Sequence, residues 1–481
     1  MDPARPAARA PESIDLAGLR EAIARRVALR TESQDPARAP ELRRYLSDEI
    51  GPTLERMGFA TALWANPVEG GPPFLHAHRI EDPALVTVLM YGHGDVVLGD
   101  DAQWQQAASP WQLETRGKRW YGRGAADNKG QHSINLAALE HLLRTRGALG
   151  CNVKWLFEMG EEIGSPGLRA VCEQQRAALR ADVFIASDGP RLRSDRPTLF
   201  LGSRGAFNFT LDCTLRAGAH HSGNWGGLLA NPGILLANAI ASMVDARGRI
   251  QVEGLRPPPM PDSVRRALAG IEPGEPDGPA IDADWGEPGL TPAERVLGFN
   301  ALEVLAYRTG NPEHPVNAIP PRASATLQLR FVAGCEPAGF LDAIRRHLAA
   351  HGHGRIEVAA DRAEVMAATR LDPDHPWVRW AARSIERSTG APPVVLPNLG
   401  GTLPNDCFAE VLGLPTLWVP HSYPACSQHA PDEHLLADVA EEGLHIMIGL
   451  FADLPRRASQ IEATRPTAAV QRELDPGNAA R

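Results

Sequence analysis

The chain alternates short apolar runs with segments in which apolar side chains recur every three or four positions. The helical spacing predicts helices at residues 12–32, 40–57 and 128–149. The apolar runs predict strands at 85–91, 153–157, 181–187 and 415–420. Continuously apolar strands that alternate with helices favour an α/β fold with a mainly parallel sheet covered on both faces. In such sheets, ligands bind in the crevice at the carboxyl ends of the strands.

The middle of the chain follows a different pattern. Apolar and polar residues alternate at 206–215 and 322–332, which predicts two half-buried strands. Helices are predicted at 231–245 and 339–352, and another strand near 355–360. This order predicts a small α+β unit with an antiparallel sheet, inserted into the larger domain. The expected catalytic domain has two parts, residues 1–205 and 371–455. The inserted domain is expected at 206–370, and a polar tail at 456–481.

Length and charge narrow the class of protein. A chain of 481 residues suggests more than one structural unit, and it has no apolar tract long enough to span a bilayer. A net charge of −9 without a basic stretch argues against nucleic acid as a partner. The six cysteines contain no CxxC pair and are expected to be reduced thiols. Because the N-terminus lacks a signal-peptide pattern, a cytoplasmic protein with no membrane partner is expected.

Each predicted strand of the parallel sheet leads into a potential metal ligand or acid, and a further acid precedes the helix at 128–149. These residues are His93, Asp95, Asp127, Glu161, Glu162, Asp188 and His429. Two histidines, two aspartates and one glutamate suit Zn²⁺, Mn²⁺ or Co²⁺. Five such ligands can hold two ions about 3.5–4 Å apart if one carboxylate bridges them, and a hydroxide between the ions can then attack a carbonyl carbon. On an extended backbone, Asp95 and His93 point the same way, so Asp95 can accept from the second ring nitrogen of His93.

Six segments together resemble the co-catalytic dizinc metallopeptidase family. They are GHGDVV, YGRGAADNKG, EEIGS, SDGP, HHSGNWGG and QHAPDEH. The family includes carnosinase-type dipeptidases, carboxypeptidase G, acetylornithine deacetylase, succinyl-diaminopimelate desuccinylase and aminoacylase. The similarity covers about residues 15–455, in the family's order and spacing. It implies a zinc-peptidase catalytic domain, with the inserted α+β unit as a lid or dimerisation domain.

The resemblance also implies roles for the candidate residues. Two ion sites would share one carboxylate and would be formed by His93, Asp127 and Asp188 and by Asp127, Glu162 and His429. Glu161 would be the general base that takes a proton from water and passes it to the leaving amine. Asp95 would orient His93. Zinc is the metal expected first, with manganese or cobalt as alternatives.

Further residues resemble the family's substrate contacts. His221, which directly precedes Ser-Gly, would cross a dimer interface to contact the substrate carbonyl of the partner. Arg330 would bind the substrate carboxylate, for which a planar guanidinium is well suited. Asn317 and Thr402 would occupy neighbouring substrate-contact positions.

The chain departs from the family pattern in three places. Gly94 replaces a larger residue between His93 and Asp95, Met159-Gly160 precede the glutamate pair in an unusual order, and Val97-Leu98 replace a common Val-Pro continuation. None of these changes removes a ligand. Those at Gly94 and Met159 lie beside ligands and are expected to reshape the pocket, with Met159-Gly160 as the place to look for the substrate.

The leading hypothesis is a homodimeric amide hydrolase with two divalent ions per subunit. Its substrate would be a small peptide or an N-acyl amino acid with a free carboxylate. The motif context favours a dipeptidase or carboxypeptidase, with an N-acyl-amino-acid deacylase as the alternative and a non-catalytic binding relative as a remote one. A nucleotide-binding protein is set aside because no GxGxxG or GxxxxGK[ST] follows a strand.

Overall fold

The computed structural model describes residues 14–274, 279–361 and 365–462. The chain forms two compact units. One comprises the residues up to Pro197, Trp380–Pro393 and the chain from Val419 onward, and the other comprises Thr198–Arg379 and Val394–Trp418. The domain boundaries expected from the sequence, at 205, 370 and 455, stay predictions.

Each helix predicted from the sequence is present among the described residues, but several others, such as the one at Pro376–Thr389, were not predicted. The predicted helix at 40–57 is two α-helices joined by a π-helical turn at Tyr45–Ile50. The α-helices are α1 (Leu16–Val27), α2 (Ala39–Arg44), α3 (Gly51–Arg56), α4 (Lys129–Arg146), α5 (Leu168–Gln174), α6 (Arg176–Leu179), α7 (Ser222–Trp225), α8 (Pro232–Met243), α9 (Asp262–Leu268), α10 (Pro292–Leu297), α11 (Phe340–Ala350), α12 (Pro376–Thr389) and α13 (Ala437–Glu462).

Most strands of the described residues have seven residues or fewer. They are β1 (Ala60–Trp64), β2 (Phe74–Arg79), β3 (Thr87–His93), β4 (Glu114–Arg116), β5 (Arg119–Tyr121), β6 (Asn152–Glu158), β7 (Val183–Ala186), β8 (Thr198–Phe200), β9 (Gly205–Thr214), β10 (His220–His221), β11 (Ala301–Thr309), β12 (Ala318–Ile319), β13 (Arg322–Phe331), β14 (Glu357–Ala360), β15 (Val394–Leu396), β16 (Thr416–Trp418) and β17 (His434–Leu436).

The first unit is built on a sheet in the order β1-β2-β6-β3-β7. Strand β3 runs parallel to both β6 and β7, so the carboxyl ends of these three strands meet at one edge. The predicted α/β class with parallel central strands is confirmed. Strands β1 and β2 extend the sheet antiparallel and were not predicted, because FLHAHR in β2 carries two histidines and an arginine and does not form an apolar run.

Helix α4 packs on β3, and α1 and α13 pack on α4. The first three turns of α4 are almost entirely buried, which fixes the position of the residues just before the helix. A protein interior is densely packed, so a helix held on several sides moves little. The loop that leads into α4 is therefore held in place at its C-terminal end.

The second unit contains an antiparallel sheet in the order β11-β13-β9-β14. Burial alternates along β9 and β13, and the buried face packs on α8 and α11 around Phe209, Leu211 and Leu327. The predicted α+β insertion is confirmed. Edge strand β11 was not predicted. Strands β16, β8 and β15 also belong to this unit, with β8 parallel to β15 and antiparallel to β16.

The expected polar tail at 456–481 begins inside a helix, since α13 continues to Glu462. Residues 463–481 lie outside the described part of the chain. Across the described helices, none combines the length and the apolar character needed to cross a membrane.

Candidate metal centre

His93 is the last residue of β3 and is fully buried. Its Nδ1 lies 3.1 Å from the backbone oxygen of Asp95 and 3.4 Å from Asp95 Oδ1. Nδ1 therefore donates to the backbone of Asp95, with the carboxylate close by, and the orienting role expected of that carboxylate stays a prediction. The other ring nitrogen, Nε2, lies 3.0 Å from Asp127 Oδ1 and 3.5 Å from Asp188 Oδ2.

Asp127 lies just before α4, and its two carboxylate oxygens face different histidines. Oδ1 faces His93, whereas Oδ2 lies 3.0 Å from Nε2 of His429. That same Nε2 atom of His429 lies 3.0 Å from Glu162 Oε2. Two groups of ligand atoms thus share Asp127, one with His93 and Asp188 and one with Glu162 and His429, and within each group the atoms lie within 4.8 Å of one another. These are the two sets expected from the sequence, and their roles as ligands stay a prediction.

Glu161 and Glu162 lie on one 3₁₀ turn directly after β6. The backbone N–H of Glu161 donates to Asp95 Oδ1 at 3.2 Å, and that of Glu162 donates to Asp95 Oδ2 at 3.1 Å. Asp95 is fully buried and so joins the carboxyl end of β3 to the turn after β6. Sequence reasoning assigned Asp95 to His93 alone and missed this second task.

Two carboxylate oxygens of the cluster accept no hydrogen bond from the described residues. They are Glu162 Oε1 and Asp188 Oδ2, and both are buried. A buried carboxylate oxygen without a partner is costly unless a cation faces it. The donor set of imidazole nitrogens and carboxylate oxygens suits divalent zinc, manganese or cobalt, so the residues fit two such ions.

The pKa values in the metal-free chain show how strongly the cluster attracts positive charge. Burial raises the pKa of Glu162 to about 7, and the neighbouring charge of Asp127 adds to this. Hydrogen bonds with Asp127 and Glu162 raise the pKa of His429 to about 11. Burial also raises the pKa of Glu161 well above its usual range, with Asp188 and Glu162 adding to the effect and His93 opposing it. Protons thus compensate the carboxylates in the metal-free protein.

Glu433 is a buried residue of the centre that sequence reasoning missed, although it lies in the QHAPDEH segment. One of its oxygens accepts from the backbone N–H groups of Ala126 and Asp127 at 2.9 and 3.0 Å. The other accepts from Arg123 Nη1 at 2.7 Å and from the N–H of Gly124 at 3.1 Å. Glu433 therefore ties the loop of Asp127, the candidate shared ligand, to the loop of His429.

Gly94 and Met159, two of the departures from the family pattern, contact each other. A Cβ atom on Gly94 would lie 2.3 Å from Cε1 of Tyr45 and 2.8 Å from Sδ of Met159. Any larger residue would clash with both side chains. Met159 is fully buried. These two departures are thus matched packing changes, and the expected substrate contact at Met159 has no exposed surface to support it.

The second unit brings the four expected substrate-contact residues into two pairs. His221 and Asn317 lie at the short β10–β12 ladder, where the N–H of Ser222 donates to the backbone oxygen of Asn317 at 2.9 Å. Arg330 Nη1 donates to Thr402 Oγ1 at 2.6 Å. Their substrate roles stay predictions.

Comparison with known proteins agrees with this geometry. The sequence model of peptidase family M20/M25/M40 matches residues 89–453. A cysteinylglycine-S-conjugate dipeptidase of Corynebacterium striatum is 29% identical over 331 residues, which are 66% of this chain and 70% of the relative. The Beta-Ala-His dipeptidase of Mus musculus is 34% identical over 187 residues, and this match spans only 38% of each chain.

Solved structures show the same fold. An M20 family metallo-carboxypeptidase from Sulfolobus solfataricus has a TM-score of 0.74 and 25% identity, covering 92% of this chain and all of the other. Human carnosine dipeptidase 1 also has a TM-score of 0.74, at 22% identity, covering 92% of this chain and 96% of the other. The family match, the similar dipeptidase sequences and the ligand cluster together show that the chain belongs to peptidase family M20/M25/M40 and is a metal-dependent peptide hydrolase.

Proposed function

We propose that the protein hydrolyses the amide bond of a small, carboxylate-bearing peptide at a dinuclear centre, as a dipeptidase or a carboxypeptidase of dipeptide-sized substrates. The observation that carries the proposal is the pair of ligand groups that share Asp127, with Glu161 on the turn beside them. Zinc is the proposed metal, and the same donors also accept manganese or cobalt. Two bound ions would supply Lewis acidity, which lowers the pKa of a water molecule and stabilises negative charge on the substrate carbonyl oxygen.

The protein's own residues handle the proton. Glu161 is the proposed general base, which accepts the proton of the attacking water and delivers it to the leaving amine. A carboxylate whose burial raises its pKa holds a proton long enough to pass it on. Asp95 accepts from the backbone N–H of Glu161 and so keeps the base in place.

Substrate selection is proposed to lie with the second unit. Arg330 would pair with the substrate carboxylate, with Thr402 holding the guanidinium by its hydroxyl. His221 and Asn317 would contact the substrate near the scissile carbonyl. The relatives named as dipeptidases support a dipeptide substrate. Hydrolysis of N-acyl amino acids would instead indicate a deacylase.

We further propose a homodimer formed through the second unit, so that His221 of one subunit serves the other. Edge strand β11 exposes Val304, Leu305 and Tyr307 to between 41% and 54%, an unusual apolar face for a strand without an outer neighbour. Leu305→Glu should then give monomers in light scattering. A cytoplasmic location without nucleic-acid or membrane partners completes the proposal.

The decisive experiment is a hydrolysis screen of the metal-supplemented protein, with metal analysis alongside. Xaa-Xaa dipeptides are set against N-acetyl, N-succinyl and N-aroyl amino acids. Glu161→Gln should abolish turnover and keep about two ions per chain, while Asp127→Ala should lose both ions. His221→Ala should lower kcat and leave metal content unchanged. Full activity of Glu161→Gln would refute the base assignment, and preference for N-acyl substrates would favour the deacylase.

A further inference from the structure

Gln428 and His429 are consecutive residues whose side chains reach the same oxygen of Asp127. His429 Nε2 lies 3.0 Å from Asp127 Oδ2, and Gln428 Nε2 also donates to that oxygen. Consecutive side chains on an extended backbone point to opposite sides. Here Ser427 and His429 adopt left-handed φ angles of 58° and 61°, and this turn lets both side chains face the carboxylate.

The loop that presents Gln428 is held at several points. The N–H of Ala430 donates to the backbone oxygen of Ser427 at 3.0 Å, and that of His434 donates to Cys426 at 2.9 Å. Asp432 Oδ1 accepts from the N–H groups of Gln105 and Gln106 at 2.9 and 2.7 Å. The amide of Gln428 is therefore delivered by a fixed backbone, which costs less conformational entropy than a free surface side chain would.

The two donors on Asp127 Oδ2 differ in what happens when an ion binds. A carboxylate oxygen can only accept, so the atom of Gln428 that faces it is the amide nitrogen with its two hydrogens. As a ligand, His429 would direct the lone pair of its Nε2 to the ion and no longer donate to Oδ2. The Gln428 amide is not a ligand and can keep donating to the second lone pair of Oδ2.

The other oxygen of Asp127 lacks such a permanent donor. Among the described side chains, Oδ1 receives a hydrogen bond from His93 Nε2, which must itself turn to the metal. The shared carboxylate is thus fixed by an amide on the His429 side only. A hydrogen bond to a ligating carboxylate orients it and strengthens metal binding, and its loss typically costs about 10–100-fold in affinity.

We propose that Gln428 is a positioning residue that selectively strengthens the ion site of Asp127, Glu162 and His429. The proposal rests on the dinuclear function proposed above. It predicts that the two ions bind with different affinities, and that one neutral side chain, which is not itself a ligand, sets the difference.

The test compares zinc titrations of the metal-free wild-type protein with Gln428→Met, followed by competition with a chromophoric chelator. The variant keeps the length of the side chain and removes the donor. The affinity for the ion on the His429 side should fall about tenfold or more, while the affinity for the other ion should change by less than about threefold. His429→Ala and Asp188→Ala, which each remove a ligand of one site, identify the two binding steps.

Two further measurements separate positioning from folding. Gln105→Met removes an exposed amide from the adjoining loop and should leave both affinities unchanged. In a cobalt titration, the visible absorption of the equivalent assigned to the His429 side should change in Gln428→Met and that of the other equivalent should not. Equal weakening of both ions, no weakening, or a lower thermal midpoint of the metal-free variant would each overturn the proposal. A wild-type chain that binds fewer than two ions would instead overturn the dinuclear function.

Discussion

The carboxylate of Asp95 accepts the backbone N–H of Glu161 at 3.2 Å, and through this bond it fixes the proposed base relative to His93. Its other oxygen accepts the N–H of Glu162 at 3.1 Å. One buried side chain thus positions the proposed ion ligand at the end of β3 and the two adjacent glutamates after β6. Two like charges in sequence can serve one centre because their backbone is held by a third carboxylate.

Asp95→Asn should therefore damage both metal binding and chemistry. The amide keeps one acceptor oxygen and turns an NH₂ group towards the other donor, so the N–H of either Glu161 or Glu162 loses its acceptor. His93 Nδ1 keeps the backbone oxygen of residue 95 but loses the nearby negative charge. We expect kcat to fall about 100-fold and metal affinity about 10-fold. Measurement of kcat at saturating zinc separates the two effects. If saturating zinc restores full kcat, Asp95 serves metal binding only.

Glu433→Gln tests whether the hydrogen bonds of Glu433, which lies near His429 in the sequence, hold the Asp127 loop in place. One oxygen of Glu433 holds two backbone N–H groups and the other holds Arg123 and Gly124, and an amide can satisfy only one side. We expect weaker binding of both ions, about tenfold or more, and a lower thermal midpoint.

Arg123→Met is the matched control for that prediction. It removes the buried cation but leaves Glu433 with its three backbone donors. It should lower the thermal midpoint and affect metal affinity much less than Glu433→Gln. Equal losses of affinity in the two variants would show that the ion pair, and not the backbone anchor, organises the loop.

The sequence predicted which candidate ligands lie close together better than it predicted the residues that hold them in place. His93, Glu162 and Asp188 follow apolar runs, and the ends of parallel strands must meet, so their convergence follows from the pattern of the chain. The hydrogen bonds from Glu161 and Glu162 to Asp95 depend on a 3₁₀ turn, which has no hydrophobic period of its own. The four donors of Glu433 are likewise visible only once two distant loops are packed together.

The same contrast holds for the fold. Strands β9 and β13 alternate in burial and were predicted, since one face is covered by helices. Strand β11 escaped prediction because its apolar residues Val304 and Leu305 are exposed and break the alternation. The alternation of apolar and polar residues reflects burial, so it does not identify a strand whose apolar residues are exposed within the chain.

Metal binding should release protons and strengthen as the pH rises. The pKa of His93 lies well above its usual range, because the neighbouring carboxylates of Asp127, Asp188 and Asp95 outweigh the effect of burial, and that of His429 is raised to about 11. Both imidazoles are then protonated at pH 7 in the metal-free protein and must become neutral to bind ions. Calorimetry in buffers of different ionisation enthalpy should count more than two protons released per chain, because Glu162, whose pKa is raised to about 7, also gives up its partial protonation. Release of no protons, or affinity that does not change between pH 6 and 8, would contradict this assignment.

Glu158 should make the metal-free protein less stable as the pH rises, in contrast to Glu81. Burial raises the pKa of Glu158 from 4.5 to about 7, although Tyr91 and Ser165 donate to its Oε1 at 2.6 and 3.0 Å. Its stabilising contribution is complete below pH 4.5 and is lost as the pH rises through 7, a loss of about 3 kcal/mol at about 1.4 kcal/mol per unit.

Glu158→Gln keeps an oxygen for both hydroxyl donors and removes the titration. The variant should therefore exceed the wild type in thermal midpoint at pH 8 by several degrees and match it at pH 5, measured in the presence of a chelator. Glu81→Gln is the opposite case, because backbone donors Leu149 and Gly150 outweigh burial and lower the pKa of Glu81. That variant should be less stable at pH 8, with a difference that fades as the pH falls through the lowered pKa. A destabilised Glu158→Gln at pH 8 would show that Glu158 is held as a carboxylate, with a charge partner that outweighs its burial.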